Sequence, residues 1–69
     1  MKSSRYEITV RGRLTDTMLT AFDGLHASPA AADTVLRGEI VDQAALFGVL
    51  ERIESLGLEL LDVRRSPAR

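Results

Sequence analysis

Cysteine is missing from all 69 residues, and so is tryptophan. Without thiols the chain forms neither a disulfide nor a thiolate zinc site. A single histidine, His26, cannot furnish the three or four ligands a metal centre needs. Aromatic residues are scarce, one Tyr and two Phe, whereas single-stranded RNA recognition on a sheet takes about two or three stacking rings on one face. An excess of charge of one sign is also lacking. Nine Lys and Arg against ten Asp and Glu leave a net charge of −1, which argues against a protein that coats nucleic acid or anionic lipid. No apolar run approaches the roughly 20 residues of a membrane helix, and the opening MKSSRYEITV has no apolar centre of about 7–15 residues such as a signal peptide carries. The expected compartment is the cytoplasm, and no cofactor is indicated.

What remains is a hydrophobic pattern in a short chain. Residues 1–69 read as a single domain, with 1–4 and 66–69 as frayed ends. A domain of this size buries only about 60% of the surface its unfolded chain exposes, and such a core rarely supplies more than roughly 3–5 kcal/mol. With disulfides excluded, one economical core or self-association has to provide the stability.

Arg5–Gly12 alternates, with Tyr6, Ile8 and Val10 on one face and Glu7, Thr9 and Arg11 on the other, the signature of a half-buried strand. Thr15 then has the chemistry of an N-cap, with Asp16 in the first turn and Leu14 placed to staple onto Leu19. Met18, Leu19 and Phe22 follow at helical spacing, and Gly24 supplies a stop, giving a helix of about two turns. Residues 24–29 read as a brief edge strand, since Pro29 suits only an edge, and 30–33 as a turn. Thr34–Val41 forms the next strand, with Leu36 and Ile40 opposite Val35, Arg37 and Glu39, and Gly38 as a bulge. Asp42 caps a longer helix in which Leu46, Val49, Leu50, Ile53 and Leu56 make one stripe, and Gly57 ends it. Leu58–Arg65 returns as a strand, with Leu61 and Val63 inward and Leu60, Asp62 and Arg64 outward.

The order βαββαβ predicts an α+β fold: the ferredoxin-like two-layer sandwich, an antiparallel sheet in strand order 4-1-3-2 with both helices on one face. Without the brief strand at 24–29 the fallback is a three-stranded β-α-β-α-β layer. Leu36, Ile40, Leu46, Val49, Leu50, Ile53, Leu61 and Val63 are the expected core of residues 34–65.

The patterns L-R-G-x-x-x-D-Q-A-A-L-x-G-V-L at Leu36–Leu50 and L-G-L-x-L-L-x-V-R-R at Leu56–Arg65 resemble those of a group of short, chiefly actinobacterial proteins. No activity attaches to that resemblance, so it implies no catalytic residue. The ferredoxin-like outline also resembles ACT regulatory domains, which implies amino-acid sensing at a dimer interface near Gly12–Asp16. In place of their Asp-Arg-Pro-Gly type of turn this chain has Arg11-Gly12-Arg13-Leu14.

Candidate chemistry is thin. His26 stands two positions from Ser28 with Asp33 nearby, which sketches a Ser-His-Asp set, but same-face neighbours on a strand lie roughly 7 Å apart, beyond hydrogen-bond reach. Both helix starts carry an acid, Asp16 or Asp42, that repels a second anion. Glu51 with Glu54, and Asp62 near Glu39, read as solvated surface rather than an acid–base pair. No catalytic, cofactor-binding or metal-binding residue is assigned. The interface candidates are Phe47, outside the apolar stripe, Val35 and Leu60 on the open sheet face, and Arg11, Arg37 and Arg64 beside them. The expected function is a non-enzymatic interaction or regulatory module that self-associates, its partner a second copy in a homodimer or another protein rather than nucleic acid or membrane. The alternatives are an ACT-like sensor of a small-molecule ligand and a small ferredoxin-like barrel enzyme using His26.

Overall fold

The alternation of the first strand sets the layers. In the computed structural model, which describes residues 3–66, β1 (Ser4–Val10) turns Ile8 and Val10 into the core and leaves Arg5 in solvent. The chain continues through α1 (Asp16–Leu19), a 3-10 turn at Thr20–Phe22, β2 (His26–Ala30), β3 (Asp33–Ile40), α2 (Gln43–Ser55) and β4 (Leu60–Ser66). The four strands form one antiparallel sheet in the order β2-β3-β1-β4, which counted from the other edge runs β4-β1-β3-β2. β2 is formed, so the three-stranded fallback does not apply. Of the expected frayed ends, Ser4 and Ser66 are paired strand residues, and the rest except Ser3 lie outside the described residues.

Ile8 and Val10 of β1, Leu36 and Ile40 of β3, Phe22 of the 3-10 turn, and Val49 and Ile53 of α2 make a single buried cluster. Both helical segments therefore cover the same face of the sheet. Each buried side chain of this kind contributes about 1.5–3 kcal/mol of transfer free energy before chain entropy is subtracted.

Local chemistry explains the elements. Thr15 Oγ1 accepts the Met18 N–H at 3.2 Å and caps α1. The helix is shorter than the two turns expected. Thr20 Oγ1 donates to the Thr17 carbonyl at 2.6 Å, a back-bond that competes with helix propagation, and the chain tightens to drop Phe22 into the core before Gly24, at φ +92°, turns it away. Asp42 Oδ1 accepts the Ala45 N–H at 2.8 Å and starts α2. At the other end Gly57, at φ +74°, donates to the Glu54 carbonyl at 3.0 Å and Leu58 to the Ile53 carbonyl at 3.1 Å. This is the Schellman closure, with Leu58 and Ile53 as its hydrophobic pair. Leu58 is thus spent on the cap, and β4 begins two residues later than the alternation predicts.

Four expectations fail for identifiable reasons. Gly38 is no bulge: it sits in regular register opposite Tyr6. A Cβ there would meet Leu25 Cδ2 at 2.6 Å and the Gly24 carbonyl at 3.1 Å, so the glycine lets the loop before β2 settle onto the sheet. The irregularity lies instead between β1 and β4, where Val10 pairs with Leu60 and Thr9 with Asp62, which makes Leu61 the extra residue. The bulge shifts Leu60 from the open face, where it was expected, to the helix side, where it borders the same depression as Leu50 and Ile53. Leu61 and Val63, expected in the core, are exposed because β4 is the sheet's outer strand and, among the described residues, no strand pairs with its free side. Val35 departs in the opposite sense. It lies on the open face but is only 8% exposed, because β3 is an interior strand and Thr9 and Ser28 flank it on either side.

Candidate functional surface

Four charged residues of the open face, Glu7, Arg37, Asp62 and Arg64, pair with one another. Arg37 Nε meets Glu7 Oε2 at 3.1 Å, Arg64 Nε meets Asp62 Oδ2 at 2.9 Å, and at the rim Arg11 Nε meets Glu59 Oε1 at 2.7 Å. These pairs are exposed, and such pairs contribute about 0–1 kcal/mol each. All three arginines proposed as contact residues from the sequence therefore carry an intramolecular carboxylate partner. Across the strands the register places Arg37, Glu7 and Arg64 in one row, positive, negative, positive. Tyr6 and Phe22 point to the helix side and Phe47 lies on α2, so none of the three aromatics is on the open face.

His26, Ser28 and Asp33 do not assemble into one group. His26 is exposed on β2. Ser28 Oγ receives Arg37 Nη1 at 3.4 Å, and Asp33 Oδ1 accepts the Gly12 N–H at 3.0 Å. Asp33 and Thr34 together hold the loop after β1: Thr34 Oγ1, in a buried residue, donates to the Gly12 carbonyl at 2.8 Å. Gly12 itself is at φ +84°, a backbone that favours glycine. Arg13 extends from this loop to the Ala31 carbonyl at 3.3 Å. A shallow depression of about 220 Å³ lies between Arg13, Leu14, Leu19 and Pro29. Among the described residues no group of three or more His, Cys, Asp and Glu is placed to hold a metal ion, and no helix is long and apolar enough to cross a membrane.

The apolar surface is distributed unevenly. Six large apolar side chains are exposed among the described residues, and three of them, Leu60 at 43%, Leu61 at 39% and Val63 at 37%, lie on β4. Phe47, at 56%, is a fourth. Its position on α2 is one turn from Leu50 and two from Glu54, the residues that border the depression with Leu60. Phe47 therefore lies on the flank of α2 that looks toward β4. The side of the molecule bounded by that flank and the β4 edge presents apolar side chains together with an unpaired strand. Of the contact residues read from the sequence, the structure unites Phe47 with Leu60, separates Arg37 from them, and buries Val35. Leu61 and Val63 were missed because alternation alone assigns them to a core that the fold does not close over them.

Residues 5–64, which span the sheet from the second residue of β1 into β4, match the family model described as Domain of unknown function (DUF8691). No curated protein and no solved structure matches the chain. With 60 of its 69 residues inside the match, the chain belongs to the DUF8691 family.

Proposed function

We propose that the domain is a non-enzymatic, ferredoxin-like interaction module of the cytoplasm whose working state is a self-associated one. The observation that carries this reading is the joint exposure of Phe47, Leu60, Leu61 and Val63 on one side of a domain with no disulfide and a thin core. Covering apolar surface gains about 25 cal/mol per Å², and association is one of the few supplements open to a chain of this size. Light scattering across the micromolar range tests it. Dimer mass that falls to monomer mass in Phe47→Glu supports the reading; a strictly monomeric parent whose melting temperature is unchanged by Phe47→Glu contradicts it.

A second reading, small-molecule sensing, draws on the depression beside Arg13. It predicts a rise in melting temperature with a bound metabolite, and a flat response to a panel of amino acids removes its support.

A further inference from the structure

Resting on the self-association reading, we propose that the second copy docks strand to strand, β4 against β4 in antiparallel pairing about a two-fold axis at Val63, with each Asp62 opposite the partner copy's Arg64. The two sheets then continue as one of eight strands.

The edge selects itself over its alternative. β2 is the other outer strand, but it has five residues and contains Pro29, which lacks the N–H a new ladder would use. β4 has seven residues, no proline, and exposed Leu60, Leu61 and Val63. An edge of that kind is a template for another strand.

The identity of the partner and the register follow from where the charges fall. Opposite Thr9 and Glu7, Asp62 and Arg64 lie on the open face, while Val63, opposite Ile8, lies on the helix side. Residues directly opposite each other in an antiparallel pair share a face. For both helical layers to stay on one side, and the two α2 flanks to approach, open-face residues have to meet open-face residues. Pairing Asp62 with Asp62, or Arg64 with Arg64, satisfies that condition but sets like charges together at the axis. Centring on Val63 satisfies it with Asp62 opposite Arg64 twice, and it alone overlaps the whole of β4. A strand that reads Asp-Val-Arg about its centre is complementary to its own antiparallel copy.

The same register extends the charge row of the open face. Arg37, Glu7 and Arg64 of one copy are followed by Asp62 of the next, so signs alternate through the seam. The ion pair between Arg64 and Asp62 within one strand, 2.9 Å, becomes part of a four-charge cluster. On the helix side, Val63 meets Val63, and the flanks bearing Phe47 come toward each other across the axis.

The test uses the full chain in three forms: the parent, Asp62→Arg and Arg64→Asp, each followed by sedimentation alone and in equimolar mixture, with circular dichroism to verify folding. Each single substitution puts like charges opposite at both positions of its homodimer, so the dissociation constant should rise about tenfold to a hundredfold. Mixing the two chains makes every opposed pair complementary again and should restore dimer mass as a heterodimer. A parent that dimerises while the mixture does not, or single variants that dimerise as well as the parent, overturns this docking mode and leaves the self-association reading standing. A parent that is monomeric overturns both. Should either charge variant fail to fold, Val63→Cys decides the question, because the native chain has no thiol. Opposed Cβ atoms at the axis lie about 4.5–5.5 Å apart, so mild oxidation should link the dimer through residue 63, whereas Ser28→Cys on β2 should stay unlinked. Linking at 28 and not at 63 contradicts the proposal.

Discussion

The two edges of this sheet differ in length and composition. β2 is short, carries Pro29, and is joined to β3 by the tight turn Ala31–Ala32. Behind it, the loop at Gly24 and Leu25 is pressed onto Gly38. β4 is longer, has no proline, and shows three apolar side chains to solvent. Behind it, α2 leaves a depression between Leu50, Ile53 and Leu60. One edge is short and interrupted by proline, and the other is longer and apolar. The lesson is that in a domain this small an exposed apolar edge is as informative as a pocket, because it marks where further burial is still available.

The largest expected effect falls behind the open edge. Ile53 is buried on the sheet-facing side of α2 and supplies the carbonyl that closes the helix C-terminus. Ile53→Ala should cost about 2–5 kcal/mol, comparable with the roughly 3–5 kcal/mol such a core supplies. Urea unfolding monitored by circular dichroism should show the transition midpoint displaced close to zero denaturant. A shift below about 1 kcal/mol would mean that Ile53 does not anchor α2 to the sheet.

The next effect lies on the β2 side of the sheet. Gly38→Ala places a methyl group 2.6 Å from Leu25 Cδ2, and overpacking of this kind costs about 1–3 kcal/mol. Leu25→Ala in the same chain should recover part of the loss, and a double-mutant cycle measures the coupling. Additive losses would show that Gly38 is not there to admit Leu25.

The smallest effect is a gain. Ala31 holds φ +56° in the turn that joins β2 to β3, a conformation that disfavours a Cβ. Ala31→Gly should stabilise the domain by about 0.5–1 kcal/mol, since relief of the backbone outweighs the added freedom of the unfolded chain. A lowered melting temperature would show that the turn is relaxed with alanine in place.

Much of the fold was legible because its signals are local. Thr15, Asp42 and Gly57 each act at the position their chemistry indicates, and the alternation of β1 and the stripe of α2 place the core. What alternation could not give was the state of β4. Alternation placed Asp62, Val63 and Arg64 on their faces, but the side of Leu60 follows from a bulge at Leu61, and a bulge depends on how the partner strand ends, not on the strand's own pattern. The exposure of Leu61 and Val63 follows from β4 being outermost, a property of the whole sheet. The burial of Val35 was missed for the complementary reason: an open face does not expose a small side chain when its strand is internal. Phe47 stood out from the sequence because it breaks the helical stripe, and its neighbourhood became visible only once α2 was set against β4.

In the proposed dimer β4 is the associating edge and β2 is not. Sedimentation equilibrium of the parent, Val63→Lys and Ser28→Lys over micromolar to submillimolar concentration tests it most directly, since an exposed lysine blunts an edge at a cost to the fold within about 0.5 kcal/mol. The account predicts twice the protomer mass for the parent and for Ser28→Lys, and the protomer mass alone for Val63→Lys. A parent that stays at protomer mass, or a dimer lost with Ser28→Lys and kept with Val63→Lys, would contradict it.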